Sequence, residues 1–199
     1  ESIFDSLSIC WKKEDQNYVP ENLKSVTAPS QNYQEYRYNH FLPSGEIVTL
    51  KSGYDKIPRF VKIGPDGKEI TLFVPGELFD ESVGYQNQLI TWSEYAPDAR
   101  WNHSGKSLIR IYDLQKSKIK TLNPEYKCFA PSISPDKHNV AVVETDFCNN
   151  YYLSLYSLLS GALVTRYQTS GNNYLFNPVW KNNEELFAVV LTGEGKRLA

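Results

Sequence analysis

The chain has no methionine, only three cysteines and three histidines, and no long apolar run in its 199 residues. Each scarcity excludes something. A helix needs about 20 consecutive apolar residues to span a bilayer, so no membrane insertion is expected of this segment. Glu1-Ser2-Ile3-Phe4-Asp5 has neither the basic start nor the apolar core of a secretion signal. Cys10, Cys128 and Cys148 cannot all pair within one chain, and none stands at a Cys-x-x-Cys or Cys/His metal spacing. Cys128 and Cys148 flank two consecutive strand-like segments, so a disulfide between them is geometrically open. The preferred expectation is buried or half-buried free thiols. His40, His103 and His138 sit in or beside turns of three separate segments. No His-Glu-x-x-His, Gly-x-Ser-x-Gly or Gly-x-x-x-x-Gly-Lys-Ser/Thr word occurs. Hence no catalytic set, metal or cofactor is expected. Neither sign of charge is in excess: 21 Lys/Arg against 23 Asp/Glu leave a net charge of -2, and nucleic acid is not an expected partner. A chain that opens on Glu1 without methionine reads as processed or excised. Thr192 to Ala199 reads as a hairpin turn followed by the start of a strand with no partner left to pair it.

The chain does hold a recurring pattern. Phe129-Ala130-Pro131-Ser132-Ile133-Ser134-Pro135-Asp136 followed by Val140-Ala141-Val142-Val143 is a short strand, a Pro/Asp turn and an apolar strand. The same order recurs at His40-Phe41-Leu42-Pro43-Ser44-Gly45-Glu46-Ile47-Val48, at Gly84 to Trp92 and at Asn177 to Phe187. The first apolar residues after the turns, Ile47, Ile90, Val140 and Leu186, stand 43, 50 and 46 residues apart. A period in that range, with about four strand-like segments per repeat, predicts the blades of a β-propeller. The fold class expected is therefore all-β, with about four four-stranded antiparallel repeats, the last incomplete, and a short helix ahead of them.

That helix is predicted over residues 1–17, where Ile3, Phe4, Leu7, Ile9, Cys10 and Trp11 place an apolar face at helical spacing. Residues 18–35, with Pro20, Pro29 and several Ser and Asn, predict a linker. The propeller segment is expected over 36–199, with blades at about 36–75, 82–123, 128–169 and 174–199. Gly64-Pro65-Asp66-Gly67-Lys68 predicts a hairpin turn: Pro suits φ near −65° and Gly a positive φ. The near-continuous apolar runs at Val140 to Val143 and Leu186 to Leu191 predict strands buried on both faces, and the alternating Tyr151 to Tyr156 a strand further out.

The aromatic-Ala-Pro-Ser strand leading to Ser134-Pro135-Asp136, together with Tyr112-Asp113-Leu114 at a strand end, resembles the TolB-like, WD-repeat-related propeller repeats of bacteria. The resemblance covers about residues 36–199. The family word Ser-Pro-Asp-Gly is here Ser134-Pro135-Asp136-Lys137, and the fourth repeat has Lys181-Asn182-Asn183-Glu184. Gln88 to Trp101 further resembles a segment of large secreted or cell-envelope proteins of Bacteroidetes-type bacteria. These resemblances imply a periplasmic or cell-surface location and a role in binding protein or another ligand.

For recognition, the candidate is the aromatic insertion carrying Trp92, Glu94, Tyr95, Asp98, Arg100 and Trp101, since aromatics interspersed with charge on a loop stack on and hydrogen-bond a ligand. The competing expectation is that Trp92 and Trp101 pack between blades while Asp98 pairs with Arg100. The loops at Gly53-Tyr54-Asp55 and Asp146 to Tyr151 hold the same place in their blades and are expected on one face with it. Asp55, Glu94, Asp98, Glu144 and Asp146 are the carboxylates near strand ends that a glycosidase would require in pairs. The leading expectation is a non-catalytic propeller module binding protein or carbohydrate within a larger multidomain protein. Its expected partners are neighbouring domains of the same chain, such a ligand, or a second copy through exposed blade edges. The alternative is the propeller part of an enzyme, gating a peptidase domain elsewhere in the chain or cleaving glycosides itself.

Overall fold

The computed structural model describes residues 2–17, 25–78, 83–98, 100, 106–169 and 173–199. Helix α1 (Ile3–Asn17) precedes the sheets, and its Ser2 hydroxyl accepts from the Phe4 amide at 3.2 Å, capping the first turn. Ile3 and Phe4 stay exposed on it.

Four antiparallel sheets follow among the described residues. The first is β1 (Gln34–Phe41), β2 (Ile47–Gly53), β3 (Lys56–Ile63) and β4 (Glu69–Phe73), hydrogen-bonded in chain order. In the second, β5 (Glu77–Leu78) and β6 (Gly84–Gln86) both pair one edge of β7 (Leu89–Ala96), whose other edge continues into β8 (Lys106–Asp113) and β9 (Lys118–Leu122). The third is β10 (Lys127–Ile133), β11 (Asn139–Thr145), β12 (Tyr151–Ser157) and β13 (Leu163–Gln168). The fourth has β14 (Tyr174–Trp180), β15 (Leu186–Thr192) and β16 (Gly195–Leu198). Each sheet is an up-and-down meander packed on the next, which is the construction of propeller blades. One expectation needs correcting: the last strand does have a partner. Val190 opposes Arg197 and Leu191 opposes Lys196, because Gly193-Glu194 closes a tight hairpin.

Side-chain alternation explains how one sheet serves two neighbours. On β7, Ile90 and Trp92 face the first sheet and pack with Val48, Leu50 and Phe60. Leu89 faces the other way and joins Ile133, Val140 and Val142 of the third sheet. Val143 in turn meets Leu175 and Ala188 of the fourth. β11 is buried over five consecutive residues as its apolar run predicts, whereas β15 is only half-buried, since among the described residues no sheet covers its far side. β12 alternates.

The innermost strands share a defect. β1, β10 and β14 each break register once, between Arg37 and His40, Phe129 and Ser132, and Phe176 and Val179. Inside each break lies a left-handed residue: Tyr38 at φ 57°, Ala130 at 50° and Asn177 at 43°. Such bulges twist a strand sharply. The corresponding stretch of the second sheet falls on residues 79–82, outside those described. In the first sheet the bulge is held by the Thr49 hydroxyl, which lies 3.0 Å from the Arg37 carbonyl and 2.6 Å from Asn39 Oδ1.

Candidate functional site

Trp92 has no exposed surface; its ring packs on Phe73 at 4.8 Å and Phe60 at 5.8 Å, and its Nε1 donates to Glu94 Oε1 at 2.8 Å. Glu94 also accepts from the Gly76 amide at 2.8 Å and from Arg110 Nε at 2.7 Å. Burial pushes the Glu94 carboxyl up, but Gly76, Trp92 and Arg110 together outweigh it and hold its pKa below the usual value. Both residues therefore serve the junction of the first two blades.

The same place on the second strand carries a buried charged residue, paired with a partly exposed partner, in three blades. Lys51 meets Glu69 at 2.5 Å, Glu94 meets Arg110, and Glu144 meets Arg166, whose Nη2 lies 2.9 Å away. Glu144 is fully buried and also accepts from Ser154 and, at 2.7 Å, from Tyr156. Arg166 reaches on to Glu125 at 3.0 Å, and its guanidinium lies 4.6 Å from the Tyr126 ring and 5.6 Å from that of Tyr152. This chain of contacts runs from the blade interior to its surface.

At that surface a cavity of about 440 Å³ opens between the second and third blades. Asp98 lines it from the loop after β7, Lys106 from the start of β8, Tyr126 and Lys127 from the entry to β10, and Asp146 and Phe147 from the loop after β11. The volume lies within the range of small-ligand sites. Phe147 is 93% exposed, and Lys106 and Lys127 make no ion pair among the described residues. Asp146 is committed to its own loop. It accepts from the amides of Cys148 and Asn150, from Asn150 Nδ2 and from the Tyr152 hydroxyl, all at 2.8 to 2.9 Å. The Asn150 bonds chiefly, then those from Tyr152 and Cys148, hold its pKa low, and the Tyr152 phenol is pushed up by the same contact.

Of the residues singled out in the sequence, the cavity gathers Asp98 and, from the companion loop, Asp146. The Arg100 amide donates to Asp98 Oδ1 at 2.8 Å. Tyr95 is half-buried in β7 opposite Glu77 and Ser107, and Trp101 lies outside the described residues. Asp55 is not part of this cavity; the neighbouring Tyr54 ring lies 5.2 Å from Tyr33. Lys106, Tyr126 and Lys127 escaped notice in the sequence because they come from strand starts, and only blade packing carries them to the loop tips. His40 stacks on Tyr85 at 4.7 Å, His138 Nδ1 lies 2.9 Å from Asp136, and His103 is outside the described residues. Cys10, Cys128 and Cys148 are unpaired. Cys128 is buried, and burial first, then the Glu144 carboxylate, pushes its thiol up. Among the described residues no cluster of three His, Cys, Asp or Glu is placed to hold a metal, and no helix is long and apolar enough to cross a membrane.

Meandering antiparallel sheets of three to five strands packed on one another, three of them with a bulged first strand among the described residues, define a set of β-propeller blades. No family model matches the chain, and no curated protein matches it. Solved structures it is similar to include TolB from Acinetobacter baumannii, 14% identical over 80% of this chain and 42% of that one, with a TM-score of 0.48. The β-propeller domain of the Trilobed protease from Pyrococcus furiosus is 8% identical over 83% of this chain and 57% of that one, at 0.47. The puromycin hydrolase S511A mutant complexed with PGG is 10% identical over 79% of this chain, at 0.47. The chain spans only 25% of that enzyme's length.

Proposed function

We propose that this chain is a non-catalytic propeller module of a larger multidomain protein, binding a protein or carbohydrate ligand in the cavity between its second and third blades. The observation carrying this is the lining: an exposed aromatic, Phe147, beside Lys106 and Lys127, two cations without ion-pair partners among the described residues, in a hollow of about 440 Å³. A flat ring stacks on a sugar face or an apolar side chain, and the ammonium groups orient the polar parts. An envelope location, periplasmic or cell-surface, belongs to the same proposal and is supported by the resemblance to TolB-like repeats.

A glycosidase is the second reading, favoured by one observation: Asp98 and Asp146, from different blades, line one cavity. Glycoside cleavage wants one carboxyl with a raised pKa as the acid. Asp146 has the reverse, with its oxygens occupied by its own loop. Binding titrations of the whole chain against panels of oligosaccharides and short peptides separate the two readings. Binding without turnover, weakened about tenfold or more by Phe147→Ala, is expected. Release of reducing sugar that disappears in Asp98→Asn would establish cleavage instead, and no binding from either panel counts against both.

A further inference from the structure

β8 runs from Lys106, at the cavity just described, to Asp113 on the opposite face, about 23 Å away. There a second hollow of about 480 Å³ opens between the second and third blades. Its floor is aliphatic: Leu89 and Ile111 are buried beneath it, and the exposed Ile119 and half-buried Leu158 present the apolar surface. Its rim carries four ammonium groups, Lys116, Lys118, Lys120 and Lys137, against one carboxylate, Asp113. In a chain of net charge -2 that is a local reversal of sign.

Asp113 is already occupied. It accepts from the amides of Gln115 at 2.9 Å and Lys116 at 3.0 Å, and Lys116 Nζ lies 3.5 Å from it. Lys120 Nζ donates to the carbonyls of Leu158 and Leu159. Lys118 and Lys137 are exposed and make no ion pair among the described residues. Tight turns display them. Asn87, Gln88, Ser117 and Lys137 all hold positive φ, at 45°, 67°, 51° and 61°. Asn87 Nδ2 donates to the Pro135 carbonyl at 2.6 Å, tying the two blades together at the rim. Short, pinned turns order the backbone that carries these charges before a ligand arrives.

The hollow is not closed. It shares Asn87, Gln88, Gln115 and Lys137 with an adjoining hollow of about 480 Å³ that reaches His40 and the 72% exposed Phe41 on the first blade. The two form one trough across three blades, too long for a single small anion. Between Lys118 and Lys137 the lining is aliphatic, and the rings of the trough, His40, Phe41 and Tyr85, stand at its other end, where His40 already stacks on Tyr85.

We propose that this trough binds an acidic polypeptide segment in extended form, its carboxylates on Lys118 and Lys137 and its apolar side chains on Ile119 and Leu158. Alternation along an extended chain puts acidic and apolar side chains on opposite sides, matching rim and floor.

The test is fluorescence anisotropy of the whole chain with a labelled eight-residue peptide alternating Glu and Leu, and with its Lys-for-Glu counterpart. The acidic peptide should bind, the basic one should not, and affinity should fall as salt rises. The double variant Lys118→Glu/Lys137→Glu should lose about tenfold or more in affinity. Both side chains are exposed, so its melting temperature should match the parent chain. Phe147→Ala, on the other face, should bind the peptide unchanged, which keeps this site distinguishable from the cavity opposite. Equal affinity in the double variant, or tighter binding of inorganic phosphate or an oligodeoxythymidine than of the acidic peptide, would overturn the proposal.

Discussion

Glu144 is the fully buried carboxylate of the third blade. A fully buried carboxylate costs several kcal/mol in lost hydration unless its oxygens are occupied. Here Ser154, Tyr156 and Arg166 occupy them. The Tyr156 phenol is pushed up in consequence, by burial first and then by its bond to Glu144. For Arg166, burial opposes the charge, but Glu125, Glu144 and Tyr156 outweigh it and raise its pKa. Glu144→Gln keeps the volume and removes the charge, leaving Arg166 paired only with Glu125, whose side chain is 64% exposed. The expected loss is about 3 kcal/mol, as for one half of a buried pair. Urea denaturation should register it as a lower midpoint at unchanged slope. A loss under about 1 kcal/mol would mean that the pair is hydrated and weak, as surface pairs are.

At the scale of elements, the turns set where each blade begins and reverses. Gly67 sits at φ +78° in the turn between β3 and β4, where the Gly64 amide bonds the Lys68 carbonyl at 2.9 Å. A Cβ there would also stand 2.7 Å from the Val26 carbonyl, because the segment ahead of β1 passes over this turn. Gly45, in the turn between β1 and β2, has φ +83°, but a Cβ on it would come no nearer than 3.9 Å to any neighbour, the closest being Pro65 Cγ. Gly45→Ala should therefore cost only the left-handed backbone strain of about 1–2 kcal/mol. Gly67→Ala should cost that and the displacement of the Val26 segment besides. Thermal denaturation of the two variants checks the difference; equal losses would show that the segment carrying Val26 does not hold its place over the turn in solution. Pro65, Asp66 and Gly67 were legible as a turn because their φ preferences are local. The bulges at Tyr38 and Ala130 were not, since no local preference puts Tyr or Ala at positive φ.

For the molecule as a whole, both ends of the blade row expose apolar side chains among the described residues. Ile57 and Ile70 on the first sheet are 62% and 59% exposed, and Val179 and Leu198 on the fourth are 61% and 72%. Exposed apolar patches favour association. Among the described residues β16 also leaves one edge unpaired. Light scattering of this chain at rising concentration should accordingly show a growing mean mass. A mass fixed at one copy throughout would mean that neither patch is adhesive by itself.

The all-β class and the repeat of antiparallel sheets were present in the sequence, because alternation and turn preferences act over a few residues and the period repeats them; the pairing of the last strand and the fifth strand of the second sheet were not. Which aromatic serves the core and which meets solvent was decided by the tertiary structure. Trp92 and Phe147 both belong to segments singled out in the sequence, yet Trp92 lies wholly between two sheets and Phe147 at a loop tip. Glu94 became a partner of Arg110 and Trp92 for the same reason: the environment of a blade side chain comes from strands in the same and neighbouring sheets. The lysine-rimmed trough has that origin too, with Lys118 and Lys137 from different blades brought beside one floor. Local preferences wrote the blades, and packing between them assigned each side chain its surroundings.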